Sequence, residues 1–265
     1  MYNRGMTAEQ NSPDEPARTL RLLWRASIAS DGPRRGPRPK ISVDAVVQAS
    51  VALADEEGIG AVTMRAVADR IGVGVMTLYG YVPGRDELLG LMIDQIATEG
   101  VRPPHTGTMR ERLIAVADEQ FAECRRHPWV VDARLPRPWI GPGGSDRYEW
   151  QLAAVEGEGF DDIAMDQIVT AIVAYVNGAA RHWAGEQERM GLAESDLEWW
   201  TSTAAVLDEV MAGSHYPISG RVGQAAGENY GLGDAERSYR FGRDALIGGI
   251  EQLRSAQPPA VMPTE

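Results

Sequence analysis

A chain of 265 residues, 43% hydrophobic and 24% charged, is long and apolar enough for one large domain or two modest ones, which excludes collagen-like, low-complexity and wholly disordered readings. The 26 Lys and Arg against 38 Asp and Glu give a net charge of −12, which taken whole argues against a nucleic-acid or anionic-membrane partner. A lone Cys124, no signal-peptide pattern and no run approaching eighteen uninterrupted apolar residues lead us to expect a cytoplasmic protein with no membrane span.

Residues 1–17 are polar, rich in turn formers and without periodicity, so they are expected to be disordered. Between residues 18 and 41 the character changes. Arg18, Arg21, Arg25, Arg34, Arg35, Arg38 and Lys40 face only Asp31, a local charge of +6. Residues 1–41 are therefore assigned as a disordered N-terminus and basic arm, within which TLRLLWRAS has the makings of a short helix.

From Ser42 the pattern is helical. Ser42 caps a helix whose apolar stripe includes Val43, Val46, Val47 and Val51 and which ends at Gly58. Thr63 caps a second helix closed by Gly72, a short segment VMTLYGY follows at 75–81, and Arg85 to about Ala97 forms another helix. Three short helices joined by tight glycine turns are the helix-turn-helix pattern. Further on, Thr108 to Arg126, a short HPWVVDA segment, Ser145–Gly157, Asp161–Met190, Ser195–Ala212 and Asp234–Ala256 read as helices. Residues 135–144 and the Gly-rich stretch 213–233 read as loops. No sustained period-two alternation occurs, so the fold is expected to be all-α.

The stretch Thr63–Leu89, with Thr77-Leu78-Tyr79, then Val82, then Arg85 before Asp86-Glu87-Leu88-Leu89, resembles the DNA-binding head of the TetR family of bacterial transcriptional regulators. The resemblance implies a helix-turn-helix DNA-binding domain with its linking helix over 42–97. It implies a larger helical ligand-binding and dimerisation domain over 98–256, most like the tetracycline-repressor type, leaving 257–265 as a disordered tail. The implied partners are a double-stranded DNA operator, a second copy of the chain and an unidentified small-molecule effector.

The residues fit that role physically. Leu78 and Val82, four apart, can anchor the inner side of the reading helix, leaving Met76, Thr77, Tyr79 and Tyr81 outside. Arg65 can bind guanine bidentately, and Val75 and Met76 can pack on thymine methyl groups. Thr77 and Tyr79 are expected at phosphate oxygens, with Arg85 holding another phosphate at a helix N-terminus. Gly74, Val75 and Met76 stand where many relatives carry a polar reader or cap, and Tyr81 where His is common, so operator preference does not transfer. Arg34, Arg35, Arg38 and Lys40 are candidates for a minor-groove arm. The head itself (42–97) carries −5 and residues 98–265 carry −11, which places most of the acid away from the expected duplex and much of the attraction on the arm.

Aromatic and polar residues of the larger domain, Trp129, Trp139, Tyr148, Trp150, Tyr175, Asn177, His182 and Trp183, are candidates for a ligand pocket. The helices 161–190 and 234–256 are expected to pair with their mates, the latter through a stripe of Ala235, Tyr239, Gly242, Leu246, Gly249 and Leu253. The nearly all-apolar helix 85–97 is expected to be covered by the head on one side and the larger domain on the other. The competing readings are a helical protein-interaction module with a vestigial helix-turn-helix and an enzyme with an appended DNA-binding head. Cys124 and His127 lack a third orienting group, and no metal or nucleotide motif occurs, so neither catalysis nor a cofactor or metal is expected.

Overall fold

The computed structural model describes residues 15–28, 41–193, 195–212 and 215–256. The architecture is all-α, with no strand among the described residues. The chain packs as two units. The first comprises Met1–Pro103 and Asp132–Trp150; the second comprises Pro104–Val131 and Gln151–Glu265.

The first unit holds α1 (Glu15–Leu23), α2 (Arg25–Ile28), α3 (Val43–Glu57), α4 (Met64–Arg70), α5 (Val75–Tyr81), α6 (Arg85–Ala97) and most of α8 (Pro142–Ala153). Ser42 and Thr63 cap α3 and α4 as their sequence positions require, each accepting a backbone N–H at 3.1 Å. Gly58 and Gly72 sit at positive φ, +80° and +71°, where a side chain would be strained. After α4, Gly72 N–H bonds Asp69 O and Val73 N–H bonds Ala68 O, the paired closure of a Schellman turn, which reverses the chain tightly into α5.

The short helix expected within TLRLLWRAS is present and longer, α1 and α2 covering 15–23 and 25–28 and so reaching back into the stretch 1–17 expected to be disordered, because it finds apolar and polar partners along the unit. Thr19 and Leu23 are buried, and α1 packs on α6. Arg25 pairs with Asp44 on α3, its Nε donating at 3.0 Å, Trp24 Nε1 donates to Ile140 O at 3.0 Å, and Arg18 donates to Gly80 O on α5 at 3.3 Å. Arg34, Arg35, Arg38 and Lys40 lie outside the described residues, as do residues 1–14 and the tail 257–265.

α6 is buried nearly all round, as its composition predicts, although the cover has a different source. α1 and α3 lie against it, and so does the segment 139–144, which the sequence assigns to the larger domain but which packs in the first unit. There the approach is unusually close. A Cβ on Gly90 would stand 2.4 Å from Trp139 Cδ1, and one on Gly143 would stand 2.2 Å from the Asp94 carbonyl oxygen. The Asp94 carboxylate accepts the Gly144 N–H at 2.9 Å and so caps α8 from fifty positions earlier. That distant cap lets α8 start at Pro142 and run through Gly143 and Gly144, three residues before its sequence signal.

In the second unit, α7 (Met109–Arg126), α9 (Asp162–Met190) and α12 (Ala235–Ala256) pack mutually around Leu113, Val116, Phe121, Ile168, Ile172, Val176, Tyr239 and Ile247. A 3₁₀ turn (Pro128–Val131) follows α7 and packs on it and on α9. α9 is the one described helix long and apolar enough to cross a bilayer by length and composition, and it lies against α7 and α12. α10 (Asp196–Val210) and α11 (Pro217–Tyr230) have no buried residue. α11 replaces the loop expected over 213–233. Its interior Gly220, Gly223 and Gly227 cost about 1 kcal/mol each relative to Ala, offset in part by Pro217 in the first turn and by a Gln224–Glu228 bond at 2.9 Å.

The stripe expected to pair α12 with another copy is internal in its first half and open in its second. Ala235 and Tyr239 are buried, and Gly242 admits the Tyr175 ring of α9, whose hydroxyl donates to Tyr239 O at 2.7 Å. Gly248 and Gly249 face open space, and Phe241 and Leu253 are exposed.

The glycine seat and the Asp94 cap can each be tested by unfolding. Gly143→Ala forces a methyl against an α6 carbonyl and should cost about 1–3 kcal/mol in thermal or urea unfolding, whereas Gly248→Ala, with nothing within 4 Å, should be neutral or stabilising. Burial holds the Asp94 carboxyl above its ordinary range, opposed by the Gly144 and Gly143 N–H groups and by Arg25 and Arg147. A carboxyl so raised contributes most below its unfolded pKa and loses that contribution as pH rises through the folded one. Asp94→Asn, which keeps the acceptor without the charge, should therefore melt above wild type at pH 7, with the advantage narrowing towards pH 4.

Candidate nucleic-acid interface and small-molecule cleft

α5 presents a sharply divided surface. Leu78 and Val82 are fully buried, while Met76 is 77% exposed and Val75, Thr77 and Tyr79 are also exposed. Tyr81 is half-buried, so it belongs only partly to the outer face. α5 carries no charged residue, so its outer face offers methyl groups, one hydroxyl and one phenol. The Arg65 side chain on α4 is 89% exposed, with Asp69 near it at 4.0 Å. The other α4 arginine, Arg70, is held by Glu56 of α3 through two hydrogen bonds of 2.8 and 2.5 Å, which also keep the Glu56 carboxyl below its ordinary range. Of the two, Arg65 is the one left available to a base.

Arg85, expected at a phosphate, is exposed and donates to two carbonyls, Nε to Val62 O at 2.9 Å and Nη2 to Ile59 O at 3.0 Å. Both carbonyls belong to the connection between α3 and α4, so the guanidinium fastens the start of α6 to that loop. Its fork geometry suits two acceptors at once.

The residues nominated for a ligand pocket divide between the two units. Trp139, Tyr148 and Trp150 fall in the first unit, where Trp139 seats on Gly90 and Trp150 Nε1 donates to Pro103 O at 2.8 Å. Trp129 is buried beside His127, and His182 is exposed. Asn177 accepts from the buried Cys124 thiol, Sγ to Oδ1 3.7 Å, and Tyr175 is bound to α12 backbone. Only Trp183 among them lines the cleft that the second unit does possess.

That cleft, of about 540 Å³, is lined by α7 residues Asp118, Phe121, Ala122, Arg125 and Arg126, by Trp183 of α9, and by Glu236, Tyr239, Arg240 and Arg243 of α12. Phe121 and Tyr239, both almost wholly buried, stack on each other at its base with centroids 4.0 Å apart. Asp118 accepts from the Tyr239 hydroxyl at 2.6 Å and from Arg243 at 2.7 Å. Burial and the Asp118 carboxylate raise the Tyr239 phenol, keeping it a donor. The sequence does hold the signal for this cleft, in two stripes at helical spacing: Asp118, Phe121, Ala122 and Arg125 on α7, and Glu236, Tyr239, Arg240 and Arg243 on α12.

Residues 46–92 match the family model described as bacterial regulatory proteins, tetR family, and residues 103–254 match that of the tetracyclin repressor-like C-terminal domain. The chain belongs to the TetR family. The HTH-type transcriptional repressor DrrR1 of Streptomyces coeruleorubidus is 35% identical over 255 residues, covering 94% of this chain and 91% of that protein. Apo ActR of Streptomyces coelicolor shares the fold, with TM-score 0.64, 21% identity and coverage of 83% of this chain and 99% of that one. ActR in complex with actinorhodin aligns at TM-score 0.63 and 23% identity, over 80% and 96% of the two chains. As a TetR-family member the protein is a DNA-binding transcriptional regulator. α1 and α2 precede both family matches and are an addition to the matched head.

Removing Arg65 and removing Arg85 should therefore have separable effects. Arg65→Ala should cost about 1–3 kcal/mol of operator discrimination in competition gel shifts and leave the melting temperature in place. Arg85→Ala should lower the melting temperature, because two loop carbonyls lose their donor.

Proposed function

We propose that this protein is a cytoplasmic, homodimeric repressor that binds a palindromic operator and is released by a small molecule. The observation that carries the DNA reading is the division of α5 into a buried Leu78 side and an uncharged, solvent-facing side of Val75, Met76, Thr77 and Tyr79, with Arg65 exposed beside it. Such a face reads thymine methyls and guanine edges in a major groove. The arm residues Arg34, Arg35, Arg38 and Lys40 supply the attraction to phosphate that the acidic head lacks.

Dimerisation is supported by what remains uncovered. The outer side of α9 is small, at Ala171, Ala174 and Gly178, and Phe241 and Leu253 on α12 face outward. α10 and α11 expose Leu197, Trp199, Trp200, Ile218 and Val222, more apolar surface than a solitary subunit carries without a use. A C2 pair places two reading helices on one duplex, as a palindrome demands. The effector reading rests on the cleft, whose volume suits a drug-sized ligand and whose lining combines Trp183 and Ala122 with charged groups. Actinorhodin, bound by ActR, has no bearing on this cleft beyond showing that the fold accommodates a ligand.

Selection of bound sequences from a random duplex pool by the full chain tests the reading. An inverted repeat should emerge, bound by a dimer in sizing with light scattering. Replacing Arg34, Arg35, Arg38 and Lys40 together by Ala should flatten the dependence of log affinity on log salt by about 0.9 for each phosphate that the arm no longer neutralises. This is a cleaner variant than truncation at residue 40, which would also strip the packed α1. A folded chain that enriches no sequence would instead be a protein-interaction module.

A further inference from the structure

We infer that α1 is a second DNA-contacting element of the head, with Arg21 holding a backbone phosphate at the edge of the site that α5 reads. The inference rests on the DNA reading above and adds a contact outside both family matches, the earlier of which begins at residue 46.

From Arg18 to Ile28 the sequence holds three arginines and no acid. Arg18 and Arg21, three apart, share one side of α1, and both are exposed. The far side is the one that packs, through buried Thr19 and Leu23, with α1 against α6. Two hydrogen bonds pin the segment at either end. Arg18 Nη2 donates at 3.3 Å to Gly80 O, in the last turn of α5, where helix carbonyls lack partners of their own. Arg25 Nε donates at 3.0 Å to Asp44, in the first turn of α3. Arg21 lies between these pins and has no hydrogen bond or ion pair among the described residues. A guanidinium carried on a fixed helix, with its fork of donors free, suits a phosphate oxygen.

Charge and continuity select the partner. α5 carries no charged residue, and Arg70 of α4 is matched by Glu56, in a head whose residues 42–97 sum to −5. Positive charge at the reading end therefore comes from its borders: Arg65 on α4, Arg85 at the start of α6, and Arg18 and Arg21 on α1, all exposed. Arg18 joins the α1 edge directly to α5, and its own charge is not cancelled by a neutral carbonyl. At the other pin, Asp44 stands two positions after Ser42, where residues 29–40 with four further cations join the head. Arg21 is thus placed between the reading helix and the attachment of the arm. A phosphate contact fixes a protein on the duplex without reading its sequence, so Arg21 adds affinity and leaves the choice of sequence alone.

The test uses the full-length protein and two duplexes, the inverted repeat selected as above and a mixed-sequence duplex of equal length. Wild type, Arg21→Gln and Arg21→Lys are titrated against both over a range of salt. Arg21→Gln removes no described contact, so it should melt as wild type does. Its slope of log affinity against log salt on the repeat should be shallower by about 0.9 per bound subunit, with the preference for the repeat over the mixed duplex unchanged. Arg21→Lys, which keeps the charge, should keep the slope. Ethylation of a phosphate flanking the repeat should hinder wild type at a position to which Arg21→Gln is indifferent. A variant with wild-type slope and wild-type ethylation pattern overturns the assignment and leaves the DNA reading standing. Lost preference for the repeat at an unchanged slope would make Arg21 a base reader, which also overturns the phosphate assignment. A folded wild type that binds neither duplex overturns the DNA reading itself and the assignment with it.

Discussion

The first unit depends on a tight seat between α6 and residues 139–144. Gly90 on α6, and Gly141 and Gly143 on the opposing segment, have no room for a methyl group unless a neighbour shifts, and at Gly143 that neighbour is backbone. Close-packed interiors do not deform continuously, and a contact without slack transmits displacement instead of absorbing it. α6 in turn carries Leu88, Leu89, Met92 and Ile96 into the core that supports the helix-turn-helix. Asp94 stands at the centre of the seat, its carboxylate on the N-terminus of α8. The favourable N–H and dipole interaction there is set against burial of the charge, and burial is the larger effect on its protonation.

The N-terminal helix extends the same logic to the reading face. Its ties run to α5 through Arg18, to α3 through Arg25 and to the seat through Trp24, so α1 and α2 link the elements whose relative positions decide where α5 stands. Two of the seven cations counted over 18–41 are thereby committed to the protein itself. α5 has contact groups and no charge, so it adds nothing of its own to the long-range attraction of a duplex.

What the sequence disclosed was whatever is decided locally. Ser42, Thr63, Thr108, Asp161 and Ser195 all cap the helices they precede, and Gly58 and Gly72 terminate theirs at positive φ, because caps and turn glycines act within a few residues. The misreadings share the opposite property. α8 begins early because its cap is fifty positions away. α1 begins earlier than TLRLLWRAS, reaching into residues expected to be disordered, and packs on α6, more than sixty residues ahead of it. Trp139, Tyr148 and Trp150 looked like ligand residues on chemistry alone, yet they serve a different unit, which only the path of the chain determines. The exposed side of α5 was legible because a seven-residue helix with one buried leucine leaves few alternatives.

The cleft adds a constraint on how a ligand could act. A ligand shifts a conformational equilibrium only by its differential affinity for the two states, and allosteric couplings amount to about 1–3 kcal/mol. The Asp118, Tyr239 and Arg243 network is already satisfied and ties α7 to α12, so a ligand that merely touches it has little to offer one state over another. Arg125 and Arg126 differ, since they close α7 at its last turn and have no anion among the described residues to compensate them.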